Sequence, residues 1–327
     1  MSDRPVALVT ATFRGPGRDR LEEEVDVVAD PWIGHVPLRI WDGAALAERV
    51  RETGATILIV ESDFVMGDEI LDAGLRIIGS TRGDPNNVDV AGATARGIPV
   101  LHAPGRNADG VAELAVALTL ACTRHVVAAD RDLRTHRVFA DGTIPYQRFR
   151  SWQLAGRTVG LVGYGAVGRA AAWRFAGLGM EVCSYDPFAP DATHDDLDEL
   201  LGAVDVVSMH AAVTPDTVGL MDHQRFAAMR PGSVYVNTAR AGLHVLDDLV
   251  EALRSGHLSA AALDHFDGEQ LPEGHPLIDM DNVVLTPHIG GATYDTEVVH
   301  STMLAEDVLA VLHGETPSRC ANPEVLT

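Results

Sequence analysis

The stretch TVGLVGYGAVGRAAAWRFAGLGMEVCSYD (158–186) determines the fold of the chain. An apolar run is followed by the glycine-rich turn GYGAVG, a helix-compatible segment and a second apolar run. In such a unit one glycine permits a tight turn, another lets a ligand approach the backbone, and the third allows close packing of helix on sheet. Gly163, Gly165 and Gly168 stand at these three positions. The stretch therefore predicts a strand, turn, helix and strand unit of an α/β fold.

The same stretch predicts a dinucleotide site. The helix begins near Ala166 and Val167, so its free N–H groups and partial positive charge face an anion placed at the turn. Asp186 ends the second strand, 18 residues beyond Gly168. A carboxylate there accepts hydrogen bonds from ribose hydroxyls and repels a 2′-phosphate. The sequence therefore favours NAD over NADP as the cofactor.

Short β-rich runs alternate with helical stretches along the rest of the chain. They are VALVT (6–10), TILIV (56–60), LRIIGS (75–80), IPVL (98–101), VDVVSMH (204–210), GSVYVN (232–237), SAAALD (259–264) and NVVLTP (282–287). Continuous apolar strands separated by helices are typical of parallel sheets that are covered on both faces. The predicted fold class is therefore α/β throughout.

Two junctions rich in glycine and proline divide the chain, APGRNADG (103–110) and TPHIGGAT (286–293). If the chain crosses between lobes at both junctions, residues 1–104 and 293–327 form a substrate-binding domain and residues 105–292 form an NAD-binding domain. The last helix, near 294–313, then returns to the first domain. The segment from 107 to about 137 has apolar residues at helical spacing, and we expect one long helix that links the domains or forms a dimer.

Composition excludes several classes of protein. A formal net charge of −22 repels phosphate backbones and anionic membrane surfaces, so we expect neither nucleic-acid nor membrane binding. The three cysteines lie far apart and form no C-x-x-C pair, which argues against disulfides and a structural zinc site. The start of the chain has no signal-peptide pattern, so we expect a cytoplasmic protein. An acidic enzyme with an anionic substrate must place a few arginines locally.

Three later segments resemble signatures of the D-2-hydroxyacid dehydrogenase family. They are GSVYVNTARAG (232–242), AALDHFDGE (261–269) and NVVLTPHIGG (282–291), and the resemblance extends to GIPVLHAPGRNADGVAELAVAL (97–118). It implies two doubly wound parallel-sheet domains, one Rossmann-like and one flavodoxin-like, with the cofactor domain inserted in the substrate domain. It also implies hydride transfer between NAD and a small 2-oxo or 2-hydroxy acid, and a homodimer formed by the helix after Asn107 and an arm at 139–156.

The resemblance places the catalytic residues at Arg240, Glu269 and His288, each just beyond a predicted strand. His288 would donate a proton to the substrate carbonyl during reduction and accept one during oxidation. Glu269 would hydrogen-bond the other ring nitrogen, and Arg240 would hold the substrate carboxylate with its planar donors. One departure is that Gln270 stands where the family usually has proline.

The resemblance also suggests secondary contacts with the cofactor. Asp264, at a strand end, would receive the nicotinamide carboxamide, although a strand-ending cap is the alternative. Thr214 would lie in the loop beside the adenosine ribose and pyrophosphate, and Thr238 would lie near the nicotinamide. A plain turn is the alternative for Thr214.

The substrate lobe gives a weaker signal. The turn STRGDPNNVD (80–89), with Arg82 and Gly83, resembles the segment that contacts substrate, and Arg106 lies near the domain junction. Arg82 and Arg106 could clamp a second anionic group, as in phosphonopyruvate or phosphohydroxypyruvate, or could equally face solvent. Glu61, where many relatives have a basic or small residue, argues against a phosphate there.

A second function remains open at this point. Some relatives act as NADH-responsive scaffolds that bind partner proteins while retaining the catalytic residues. A zinc alcohol dehydrogenase is excluded because the chain lacks its cysteine and histidine ligand groups, and we predict no metal.

Overall fold

Two parallel sheets organise the chain in the computed structural model, which describes residues 4–326. Residues 4–106 and 293–326 form one unit, and residues 107–292 form a second unit inserted into the first. Each unit has its own sheet, with five strands in the first and six in the second. The predicted α/β fold with two doubly wound domains is confirmed.

The strands have the following bounds. In the first unit they are β1 (Val6–Val9), β2 (Asp26–Ala29), β3 (Ile57–Val60), β4 (Ile77–Ser80) and β5 (Val100–Leu101). In the second unit they are β6 (Thr158–Val162), β7 (Glu181–Tyr185), β8 (Val206–Met209), β9 (Val234–Asn237), β10 (Ala260–Leu263) and β11 (Val283–Leu285).

Helices connect the strands in both units. The first unit contains α1 (Pro16–Glu24), α2 (Gly43–Thr53), α3 (Asp68–Leu71) and α4 (Val90–Ala95). The second contains α5 (Ala108–Thr123), α6 (Val126–Arg134), α7 (Pro145–Arg148), α8 (Ala166–Gly177), α9 (Leu197–Ala203), α10 (His223–Ala228) and α11 (Leu246–Arg254). Finally, α12 (Tyr294–Leu312) belongs to the first unit. Side chains that accept a hydrogen bond from the first turn begin several of these helices, namely Asp42, Asp89, Asp196, Asp222 and Thr293.

The sheet of the first unit has the order β2-β1-β3-β4-β5, and its strands are parallel. Alternate residues of each strand enter separate cores on the two faces, as Leu8 and Ala7 do in β1. The helix α12 contributes Leu304 and Val308 to one of these cores. It packs so closely on α1 that a Cβ added at Gly17 would lie 2.5 Å from the Ser301 carbonyl carbon.

The sheet of the second unit has the order β11-β10-β9-β8-β6-β7, again all parallel. The chain proceeds from β6 to β7 on one side and then returns to place β8 on the other side of β6. Open parallel sheets bind ligands at the carboxyl ends of the strands where the order reverses in this way. The turn that contains Gly163 and Gly165 follows β6 at that point.

The structure corrects two expectations about secondary structure. The edge strand β2 was not predicted, because its residues are only half-buried and follow a run of glutamates. The prediction of a single helix from 107 to about 137 is wrong, because the helix is interrupted at His125, whose φ of 53° lies in the left-handed region. Two helices, α5 and α6, result. Within residues 4–326 no single helix is long and apolar enough to span a membrane. Taken together, α5 and α6 would be long and apolar enough, but they are bent by 62° relative to each other.

An alanine at Gly17 is expected to lower the free energy of unfolding by about 1–3 kcal/mol, although alanine is the better helix former. The added Cβ meets main-chain atoms of Ser301 and Thr302, which cannot rotate away. Urea denaturation measures the change. Gly177→Ala in α8 is the control, since its Cβ would meet nothing within 4 Å. Equal effects of the two substitutions would contradict close packing of α1 on α12.

Candidate active site

The glycine turn after β6 has the close approaches that the sequence predicted. Gly163 has a φ of 96°, and an added Cβ would lie 2.4 Å from the Ala211 backbone nitrogen. A Cβ at Gly168 would lie 2.2 Å from the Gly163 carbonyl oxygen. At Gly165, by contrast, a Cβ would meet no protein atom within 4 Å. The first and third glycines thus pack the unit, while the second leaves open space against the backbone.

The same edge of the sheet fits a dinucleotide. The helix α8 runs for 12 residues from Ala166, with Val167 in its first turn, and its N-terminus follows the open space at Gly165. Two buried polar atoms among the described residues have no hydrogen-bond partner there, Nδ1 of His210 after β8 and Oγ1 of Thr238 after β9. Such atoms are costly unless a ligand or water satisfies them. Burial lowers the pKa of His210 to about 4.

Asp186 follows β7 and faces the glycine turn. One carboxylate oxygen accepts a hydrogen bond from the Tyr164 backbone N–H at 2.8 Å, and the other accepts from the Phe188 N–H at 2.9 Å. The nearby Arg169 is held by Asp191, with an N–O distance of 2.7 Å. The carboxylate is therefore fixed beside the turn, and the neighbouring cation is already paired.

His288 and Glu269 form the central pair of the site. Nδ1 of His288 lies 3.0 Å from both carboxylate oxygens of Glu269. Because a carboxylate only accepts, Nδ1 must carry the proton, and Nε2 is left for another partner. Both residues have left-handed backbones, with φ values of 54° and 62°. Non-glycine residues in this region cost about 1–3 kcal/mol each and concentrate at functional sites.

A buried carboxylate holds the loop that carries His288. Asp264, at the end of β10, is fully buried. Its oxygens accept hydrogen bonds from the Thr286 hydroxyl at 2.6 Å and from the backbone N–H groups of Ile289 and Gly290 at 2.9 Å. A carboxylate can accept about four hydrogen bonds, and these three donors leave room for one more. Asp264 therefore anchors the loop, and its contact with a carboxamide stays a prediction.

Arg240 lies after β9 in a turn that a buried amide holds. The Asn237 side chain donates to the Arg240 carbonyl oxygen at 2.9 Å and accepts from the Ala239 N–H at 2.9 Å. The exposed Arg240 guanidinium lies 3.4 Å from Nε2 of His265. The structure thus brings Arg240 into the neighbourhood of His288 through His265.

His265 is a site residue that sequence reasoning missed. Its ring centroid lies 3.7 Å from that of His288, and the residue is only 7% exposed. Burial, then the charges of His288 and Arg240, lower the pKa of His265 to about 3. The signal was present in the sequence, because His265 directly follows Asp264 in the segment AALDHFDGE.

The remaining cofactor candidate lies in a loop. Thr214 is exposed, and its backbone N–H donates to the Thr217 hydroxyl at 2.7 Å. The two threonine hydroxyls lie 3.1 Å apart. These bonds form a closed turn, which was the alternative interpretation, and a role beside the ribose stays a prediction.

The first unit contains the other predicted substrate residues. Arg82 donates to the Glu61 carbonyl oxygen and to the Asn86 side chain, both at 2.7 Å. Gly83 lies in the same turn, and its carbonyl accepts a hydrogen bond from the His102 ring at 2.8 Å. Arg82 is therefore braced within its own unit.

The Arg106 side chain is largely buried, and its guanidinium is paired with a carboxylate of the same unit. It lies 3.0 Å from a Glu61 carboxylate oxygen, and both side chains are 16% exposed. Arg106 also donates to Nδ1 of the fully buried His300 at 2.7 Å. Burial raises the pKa of Glu61, but the charges of Arg106 and His300, together with hydrogen bonds from Trp32 and Arg106, hold that pKa below its usual range. Arg106 is therefore paired within its own unit, and the contact of Arg82 and Arg106 with a second anionic group stays a prediction.

Comparisons with known proteins show the family to which the chain belongs. The family described as "D-isomer specific 2-hydroxyacid dehydrogenase, NAD binding domain" matches residues 116–290. A glyoxylate reductase from Thermofilum pendens is 35% identical over 99% of this chain and 96% of the relative. A D-3-phosphoglycerate dehydrogenase from Mycobacterium leprae is 38% identical over 96% of this chain and 58% of the relative.

A solved structure shows the same likeness. It is the NADPH-dependent glyoxylate/hydroxypyruvate reductase from Sinorhizobium meliloti, with a TM-score of 0.77, 26% identity, and 98% of each chain covered. The fold, the glycine turn and the matching sequence point the same way. The chain belongs to the D-isomer specific 2-hydroxyacid dehydrogenase family, and it is an oxidoreductase that uses a nicotinamide cofactor.

Proposed function

We propose that the protein reduces a small 2-oxo acid to the 2-hydroxy acid, and catalyses the reverse reaction, with Arg240, Glu269 and His288 as catalytic residues. The pairing of His288 with Glu269 carries the proposal, because Nδ1 lies 3.0 Å from both carboxylate oxygens. An imidazole oriented in this way has one nitrogen committed and the other ready to exchange a proton with substrate.

The protein's own groups account for every step except hydride transfer. When bound, the nicotinamide supplies or takes the hydride. During reduction, Nε2 of protonated His288 donates a proton to the carbonyl oxygen of the substrate as that oxygen gains charge. Glu269 keeps the ring oriented and stabilises its positive charge. Arg240 binds the substrate carboxylate with two parallel N–H donors.

We propose NAD as the cofactor, held against Gly163, Gly165 and Gly168 at the start of α8. The first turn of that helix, with Ala166 and Val167, would face the pyrophosphate. Asp186 would accept hydrogen bonds from the adenosine ribose. The same proposal includes contacts of Thr214, Thr238 and Asp264 with the cofactor. The buried Thr238 hydroxyl has no hydrogen-bond partner in the protein, which supports its contact with the cofactor.

We propose a substrate with one carboxylate and a small uncharged side chain, such as glyoxylate or hydroxypyruvate. The names of two relatives support this choice. Arg82 and Gly83 of the first unit are candidates for substrate contacts. A doubly anionic acid such as phosphonopyruvate or phosphohydroxypyruvate is the second candidate, but the pairing of Arg106 with Glu61 speaks against it.

We propose that the protein is a homodimer formed by α6 and the arm at 139–156. Large apolar side chains in this part of the second unit are exposed, including Leu133 at 67%, Phe139 at 75% and Tyr146 at 77%. Clusters of exposed apolar groups on this scale are typical of protein interfaces.

His288→Gln and Glu269→Gln are expected to lower kcat for NADH-dependent reduction of glyoxylate or hydroxypyruvate by about 100-fold or more, because each removes part of the proton donor. Steady-state kinetics measure the change, and NADH fluorescence checks that cofactor binding is retained. His257→Gln, at the amino end of β10, is the matched control. If the natural protein binds NADH but reduces no 2-oxo acid in a broad panel, the scaffold alternative replaces this proposal.

Asp186→Ser is expected to lower the preference for NADH over NADPH by about tenfold or more. The substitution removes the carboxylate that repels a 2′-phosphate, while Arg169 remains nearby. The ratio of kcat/KM for the two cofactors measures this preference. Asp195→Ser, an exposed carboxylate in the following loop, should leave the ratio unchanged. A natural protein that already prefers NADPH would rule out the choice of NAD.

Phe139→Asp combined with Leu133→Glu is expected to convert a dimer to a monomer, because charges at an interface oppose burial. Light scattering measures the mass in solution. Val36→Asp is the control, since Val36 is also exposed but lies in the first unit. A natural protein that is monomeric and fully active would refute the homodimer.

A further inference from the structure

His265, Glu269 and His288 form a three-ligand cluster at the carboxyl ends of β10 and β11. Each offers one ligand atom, and these atoms all lie within 4.8 Å of one another. Among the side chains that the structure describes, no other three histidines, cysteines or carboxylates are gathered in this way. The proposed proton transfer uses Glu269 and His288, and it gives no reason for a second imidazole beside them.

The donor set suits a divalent ion of the zinc class. Two imidazole nitrogens and one carboxylate oxygen, with a fourth position open, are the ligands of several zinc sites. Magnesium and calcium prefer oxygen ligands only, so they do not fit. The sequence predicted no metal because its cysteines form no C-x-x-C pair and it lacks the ligand groups of a zinc alcohol dehydrogenase. These three ligands come from two separate segments of the chain instead.

The distances require movement that the exposed ligands can supply. Two ligand atoms on one zinc ion lie about 3.4 Å apart, given bonds of about 2.1 Å. The pair formed by His288 and Glu269 is at 3.0 Å and must open slightly, and the other two pairs lie within 4.8 Å, close enough for small side-chain movements to bring them to this spacing. The Glu269 side chain is 66% exposed and that of His288 is 42% exposed. His265 is buried at its strand end, so it provides the fixed point of the cluster.

Arg240 opposes a cation at this position. Its guanidinium lies 3.4 Å from Nε2 of His265, and a bound divalent ion would repel it. The Arg240 side chain is exposed, so it can move away, but the repulsion remains as a cost to binding. A cation bound at this cluster should therefore bind more tightly when the Arg240 charge is removed, which would not hold for an ion bound at unrelated surface histidines.

We propose that His265, Glu269 and His288 bind one zinc-class divalent ion. The ion takes the place of the proton between Nδ1 of His288 and Glu269, so His288 can no longer become an imidazolium. Its Nε2 then carries the proton of a neutral metal-bound imidazole, a much weaker acid, and the bound form reduces a 2-oxo acid far more slowly. Binding of the ion does not depend on the proposed function, whereas the inhibition rests on it.

Isothermal titration of the purified protein with Zn²⁺, and with Mg²⁺ as the control ion, tests the site. We expect the natural protein to bind Zn²⁺ and not Mg²⁺, and His265→Val to weaken the Zn²⁺ affinity by tenfold or more. Arg240→Gln should bind Zn²⁺ several-fold more tightly, although this variant loses its oxo-acid reductase activity. His257→Gln should bind as the natural protein does. Circular dichroism and thermal melting without metal establish that each variant is folded.

Unchanged Zn²⁺ affinity in His265→Val, or weaker affinity in Arg240→Gln, would overturn the proposal, because the ion would then bind elsewhere. The two proposals fail separately. Activity on a 2-oxo acid without binding of Zn²⁺ at His265 removes the metal site and leaves the proposed function. Binding that depends on His265, in a protein with no activity, does the reverse.

Discussion

Parallel pairing of β6 with β8, and of β8 through β11 in succession, brings five strand ends to one edge of the second unit. Each strand in that series is followed by a turn that carries a residue of the candidate site. Gly163, His210, Arg240, His265 and His288 come from different parts of the sequence, and only the shared strand direction places them along one edge. An antiparallel partner anywhere in the series would send its turn to the opposite edge.

The sheet edge positions the turns of the candidate site, and buried polar side chains hold those turns in place. Asn237 fixes the turn before Arg240, and Asp264 fixes the loop around His288. These anchors matter because Glu269 and His288 have backbones that an isolated chain would seldom adopt. Their geometry is therefore stabilised by the fold, and a preorganised pair has no ordering cost when substrate arrives.

Local patterns in the sequence were sufficient to predict the glycine turn and most strands, because each lies within a short segment with a distinctive composition. The family resemblance added Arg240, Glu269 and His288 as catalytic candidates. Features that depend on tertiary neighbours were not predictable. The pairing of Arg106 with Glu61 joins residues 45 positions apart, and nothing in either segment indicates it. His265 contacts Arg240 and His288 only after three strands align. The break at His125 was missed because apolar spacing continues through it.

The helix α12 completes a core whose other parts are made at the beginning of the chain. Leu304 and Val308 pack with Ala7, Val9 and Ile59, although the whole second unit lies between them in sequence. During translation the second unit can fold once residue 292 has left the ribosome, because its contacts are then all available. One apolar face of the sheet in the first unit stays uncovered until α12 has been synthesised. The part of the described chain that is synthesised first is therefore the part whose core is completed last.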